Sequence, residues 1–239
     1  MAPSAESVAA GALVSLTIVM TGCVSTQQKN ERAKLNAGRE LAARETLRVT
    51  RINPDVSVRA LTVLRSGRRT AIVAELRSSA ARPLTDLPIL LGVRTKGGRT
   101  VTLNASPQRS WFQRHIASLA PGRRISWVFT TNAVVPRSGR PFARVGLTPK
   151  ALATDVAALP KLDAVAVGHS AVRVRNRSDV PQTDLPVYAV IRSGNRVVAA
   201  GRGELPRVGG AENGTAPIRL IGRTTSTAPD VVALPTIFE

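Results

Sequence analysis

Cysteine is nearly absent from this sequence: Cys23 is the only one in 239 residues. An intrachain disulfide is therefore excluded, and each domain must rest on its apolar core. Aromatic side chains make up only 3% of the chain. Small aliphatic residues must fill the interior instead, and together with Thr they suit β-strands. There are two histidines, His115 and His169. A zinc site needs three or four ligands, and no His, Cys and carboxylate cluster has suitable spacing, so no metal is expected. No calcium loop and no Gly-rich phosphate loop ahead of a helix is present, so no cofactor is expected either. The apolar run Val8–Met20 is too short for a comfortable membrane span.

Acidic residues are also scarce, 15 against 34 Lys and Arg, for a net charge of +19. The excess is local. From Thr46 to Lys150 there are 19 basic and three acidic residues, a net +16, whereas Ala151 to Glu239 carries only +2. So dense a positive charge attracts polyanions such as phospholipid head groups, acidic wall polymers or nucleic acid. An Arg-rich solvated surface with no ligand is the alternative.

The run Val8–Met20 has the length of a signal-peptide hydrophobic region. It leads into Met20-Thr-Gly-Cys23, which resembles the lipobox of bacterial lipoproteins. The resemblance implies cleavage between Gly22 and Cys23, lipidation of Cys23, and a lipid anchor in the cell envelope. The mature protein would then sit on the outer face of the cytoplasmic membrane or be exported. Residues 1–22 would be the signal peptide and 23–45 a polar tether. Leu35, Leu41 and Leu47 form no convincing helical stripe, so the tether is expected to be at most partly helical.

Two pentapeptides organise the rest. Thr85-Asp-Leu-Pro-Ile89 recurs as Thr183-Asp-Leu-Pro-Val187, 98 residues later. The match extends from Ala74–Ser78 onto Val172–Asn176 and from Ile89–Arg94 onto Val187–Arg192. Leu119 and Gly122 align with Leu205 and Gly209. Such a period predicts two tandem domains, 46–150 and 151–239, rather than a solenoid. Ala171–Asn176, AVRVRN, alternates apolar and charged residues as a half-buried antiparallel strand does. Turn signals such as Ser66-Gly67 and Ser193-Gly194 separate short β-rich runs. The fold class is therefore all-β, with two tandem sandwiches. Pro88 and Pro186 should place TDLP at a loop-to-strand junction, and Asp86, in so basic a domain, should find an Arg partner.

VRNRSD followed by LPVYAVIRSGNRVVAAG is similar to bacterial envelope domains of the FxLYD type. SLAPGRRISWVF resembles their Pro-Gly turn before a late strand. That resemblance implies immunoglobulin-like sandwiches.

Candidate chemistry is thin. Gly168-His-Ser-Ala-Val172 is similar to a nucleophile elbow around Ser170, but the last Gly is missing and a β-run follows where a helix is needed. No catalytic residue is assigned. The first repeat carries an insert, Asn104–Ala117, that combines Trp111 and Phe112 with Arg109, Arg114 and His115. Such a mixture can stack on sugars or bases and hold anions; equally, Trp111 or Phe112 can plug an open end of the sandwich. Arg65, Arg68 and Arg69 form a basic hairpin tip and a second candidate contact. The expectation is a non-catalytic envelope lipoprotein that binds, scaffolds or assembles. Its partners would be the membrane, through the lipid, and an anionic envelope polymer or another envelope protein, with nucleic acid ranked last. Polyanion or glycan binding by the basic domain is the first alternative, an accessory hydrolase the second.

Overall fold

Val, Ile and Thr crowd the segments that pair, and the pairs are all antiparallel. The computed structural model describes residues 26–153 and 156–236. The segment expected to be a signal peptide, and Cys23, lie outside them. Among the described residues no helix is long and apolar enough to cross a membrane.

The chain starts with a helix, α1 (Thr26–Arg44). Its inward stripe is Leu35, Gly38, Arg39, Ala42 and Ala43, spaced as one helix face requires. Leu41 points away and is 67% exposed. The segment expected to be a tether is thus a docked helix. Its seam is made of small residues and one Arg, which a search for leucines misses.

In the first repeat, β1 (Val56–Ser66), β2 (Arg69–Ser78) and β6 (Arg124–Thr131) form one sheet in the order β1-β2-β6. The facing sheet centres on β3 (Leu84–Arg94). One edge of β3 pairs with β7 (Arg140–Val145). The other pairs first with β5 (His115–Leu119) and then with β4 (Thr100–Thr102). Between β4 and β5 lies a short helix, α2 (Trp111–Arg114). A single 3-10 turn, Lys150–Leu152, leads to the second repeat.

The second repeat has the same plan. Its three-stranded sheet is β8 (Leu162–Val167), β9 (Ala171–Asn176) and β12 (Asn213–Pro217). Its four-stranded sheet runs β13-β11-β10-β14, from β10 (Gln182–Ser193), β11 (Arg196–Val208), β13 (Ile221–Gly222) and β14 (Asp230–Ala233). Among the described residues the architecture is all-β sandwich, with the 19-residue α1, the four-residue α2 and the 3-10 turn as its helical pieces.

Register aligns the repeats residue by residue. Ile89 faces Val145, and its counterpart Val187 faces Ala233. Leu84 faces Leu119, while its counterpart Gln182 faces Val208. Leu119 therefore corresponds to Val208 and not to Leu205, and the next turn pairs Gly122 with Ala211 and not with Gly209. The strand that is continuous as β11 is broken into β4 and β5. Twelve residues, 103–114, fill the gap that three, 201–203, fill in the second repeat. The insert is thus nine residues long, a net count that the direct sequence match overstates.

The two sandwiches are stacked. In β2, four consecutive residues, Ala71–Ala74, are each 0% exposed. Neighbouring side chains point to opposite faces of a strand, so both faces of β1-β2-β6 are covered. One cover is the β3 sheet. The other is the four-stranded sheet of the second repeat, whose β10, β11 and β13 lie against β1, β2 and β6. Tyr188 and Val190 of β10 accordingly join the first repeat's core, while Leu185, Val187 and Ala189 join the second's. The outer β8-β9-β12 sheet alternates buried and exposed residues, because only one of its faces is covered.

Candidate functional site

The insert is built around Asn104, which is wholly buried. Where β4 and β5 leave β3 unpaired, its side chain takes the strand's place. Oδ1 accepts Leu91 N–H at 2.8 Å, and Nδ2 donates to Ile89 O at 2.7 Å and to Gln113 O at 3.0 Å. That satisfies backbone groups that burial would otherwise orphan. No sequence signal marks this Asn, because its role exists only in the break of the strand.

Asp86 is the second anchor. It is 1% exposed and holds a left-handed backbone, φ 47°. Its Oδ1 accepts the indole N–H of Trp111 at 2.8 Å, and its Oδ2 accepts Arg39 of α1 at 2.9 Å. Arg39 is the Arg partner that the sequence demands for Asp86. TDLP takes the second to fifth residues of β3 and of β10 and so starts each strand; Asp184 repeats the left-handed turn, φ 48°. Asp tolerates that conformation better than most residues.

The remaining aromatic and basic residues of the insert close on one another. Trp111 stacks on His115 with ring centroids 3.7 Å apart and planes 7° from parallel. Phe112 is buried under Arg39, whose guanidinium lies 5.8 Å from the ring centre. Arg114 is 1% exposed and donates to Ala43 O and Glu45 O. These are carbonyls at the C-terminus of α1, where a cation is favoured. Burial lowers the pKa of Arg114. It also drives His115 down to about 3, and the charges of Arg114 and Arg39 push the same way against a bond to Trp111 O. His115 is thus a neutral ring at ordinary pH. Arg109 donates to Thr131 Oγ1 at 3.1 Å and covers Phe129. Of the five insert residues, Phe112, Arg114 and His115 are buried, and Trp111 and Arg109 are half-buried. They plug the sandwich and hold α1; their polar groups face protein.

The hairpin tip is different. Arg65 and Arg68 are exposed and Arg69 half-exposed. Arg65 donates to Pro136 O at 3.4 Å, which draws the β6–β7 loop to the tip. The same end of the sandwich receives the β3–β4 turn with Arg94, Lys96 and Arg99. The β6–β7 loop adds Arg137, and the first residue of β7, Arg140, sits directly across from Arg94 in the ladder. Like charges in that position repel. Three loops thus bring eight cations together, and no Asp or Glu occurs in 64–70, 94–100 or 131–140. Among the described residues none of the eight is ion-paired. The Arg94, Lys96, Arg99, Arg137 and Arg140 part escapes a motif search, because it is assembled only by strand pairing.

Ser170 lies in the turn between β8 and β9, with no helix after it. His169 contacts Thr227 O at 3.1 Å. Among the described residues no group of three His, Cys, Asp or Glu side chains converges as a metal site would need. No protein-family model matches this chain, and no curated protein matches it.

Proposed function

We propose that this chain is a non-catalytic binding module of the bacterial cell envelope, anchored through a lipid on Cys23, whose first repeat holds an anionic polymer. The observation that carries the reading is the end of the first sandwich where three loops present eight cations without a carboxylate. Cations so arranged raise the local potential and capture a polyanion at many weak points. Repulsion between neighbours such as Arg94 and Arg140 is relieved when an anion bridges them.

The position of α1 supports the same reading. Arg39 meets Asp86 near the start of β3, and Ala43 and Glu45 meet Arg114, beside the residue opposite Pro88. The helix therefore enters from the end where β3 begins, and the cationic loops lie at the end where β3 finishes. A lipid ahead of α1 would leave those loops facing away from the membrane, towards wall polymer.

Binding of the full chain to polyphosphate, a polyanion of defined charge, tests the proposal. Affinity is expected to fall steeply with added salt. Gln substitutions at Arg65, Arg68, Arg94 and Arg140 should weaken it at least tenfold. Gln substitutions at Arg173, Arg175 and Arg177 of the second repeat should change it less than twofold. Equal losses from the two sets would refute a site on the first repeat. Membrane fractionation of Cys23→Ala tests the anchor separately, and a variant that stays membrane-bound sinks it.

A scaffold reading rests on the outer β8-β9-β12 face. Val165 and Val167 are exposed there, on the sheet whose first-repeat counterpart is covered by another sheet.

A further inference from the structure

A cleft lies away from the cationic loops. The segment 45–51 runs beside 146–150, and the two enclose an open cleft of about 790 Å³ floored by Arg114 and His115. The walls are fixed: Leu47 N–H donates to Ala105 O at 2.8 Å, Leu147 N–H to Arg51 O at 3.4 Å, and Ile52 bridges Gly146. Arg48, Arg51 and Lys150 line the cleft with exposed side chains, and Glu45 is the one carboxylate that lines it. Arg114 adds a buried guanidinium whose Nε has no hydrogen-bond partner. That Nε is sealed from the cleft, so a ligand there would meet the three exposed cations, and an oxyanion is the group that pairs with all of them.

We propose that this cleft is a discrete binding site for a single phosphate group, held by Arg48, Arg51 and Lys150 above Arg114. The site is independent of the cationic loops and would take a phosphate end-group or a small phosphate ester rather than a polymer side. Glu45 on the same lining repels an anion and so weakens the site, while the cations that outnumber it favour a dianion over a monoanion.

Titration of the full chain with inorganic phosphate at constant ionic strength, followed by amide chemical shifts, tests this. A saturable shift confined to 45–51, 114–115 and 146–150 is expected. Arg51→Gln with Lys150→Gln should weaken it at least tenfold; both side chains are exposed, so the fold is not at stake. Glu45→Gln should tighten it severalfold, while Arg65→Gln with Arg94→Gln should leave it within twofold. Acetate should bind at least tenfold more weakly than phosphate. The proposal is overturned if no saturable shift occurs, if acetate matches phosphate, or if only the loop substitutions abolish binding.

Discussion

The two repeats share a strand order but close their sandwiches in opposite ways. Trp127 and Phe129 of β6 correspond in register to Ala216 and Ile218, in and just beyond β12. The first repeat therefore has a thick core. The second has a thin one, in which β11 must approach the far sheet closely. A Cβ on Gly201 would stand 2.5 Å from Arg219 O, and one on Gly203 2.4 Å from Pro217 O. These glycines occupy the stretch that the first repeat replaces with its insert. A thin sandwich closes with glycine, whereas a thick one leaves a break in its edge strand that Asn104, Trp111, Phe112 and α1 must fill. The difference teaches that the aromatic insert is the consequence of a large core before it is anything else.

The widest divergence is at one register position, where the first repeat has His115 opposite Pro88 and the second has Glu204 opposite Pro186. Burial holds His115 down to about 3, against an ordinary value of 6.5. Between those values the unfolded chain takes a proton that the native ring refuses. His115 therefore costs no stability above pH 6.5, and its presence destabilises progressively as the pH falls towards 3. The loss is on the order of 3 kcal/mol between pH 7 and 4. Urea midpoints across that range should fall more steeply for the wild type than for His115→Gln. Parallel curves would mean that water reaches the ring.

The paired aspartates give the next largest effect. Asp86 and Asp184 share a left-handed backbone, yet Asp86 holds Trp111 and Arg39 while Asp184 is exposed. Asp86→Ala removes the acceptor of the Trp111 indole N–H and the carboxylate that Arg39 meets, at a cost of about 2–3 kcal/mol. Asp184→Ala removes only the side chain's tolerance of positive φ, about 1 kcal/mol. Denaturant unfolding of the two variants decides between them. Equal losses would show that backbone conformation alone explains why both repeats carry TDLP.

The contact between the repeats supplies a third test and shows where sequence reading stops. AVRVRN reads correctly as a strand with Val172 and Val174 inside and Arg173 and Arg175 outside, because only one face of its sheet is covered. The same reasoning finds Ala74 and Leu76 in β2 but leaves Val73 and Glu75 outside. Val73 is 0% exposed because the second repeat's sheet lies on it, and stacking of sheets leaves no period in the sequence. The docking of α1 was hidden likewise, since Gly38, Ala42 and Ala43 do not look like a core. At the stacked interface, Arg192 donates to Glu75 Oε1 at 2.5 Å and to Ser126 at 3.1 Å. The residue matching Glu75 on the open face is Arg173. Glu75→Arg makes the covered face resemble the open one and should cost about 1–2 kcal/mol, a modest figure because both partners are partly exposed. Arg192→Glu in the same chain should recover most of it. A double-mutant cycle with no coupling energy would remove the ion pair from the account of stacking.

The smallest effect follows from the corrected register. Gly122 and Ala211 occupy the same turn, with φ of 66° and 58°. The turn closes through Arg123 N–H to Ala120 O in one repeat and Glu212 N–H to Gly209 O in the other. An added Cβ at Gly122 would meet nothing within 4 Å, so packing has no part in the comparison and the backbone alone decides. Left-handed geometry disfavours Ala by roughly 1 kcal/mol. Gly122→Ala should therefore destabilise by about that amount, and Ala211→Gly should stabilise by about 0.5–1 kcal/mol. Thermal unfolding of the two single variants and of the exchange checks both signs at once. A stabilising Gly122→Ala would place the two residues at different points of their turns. The nine-residue offset that separates the repeats would then have to be drawn elsewhere than in the insert.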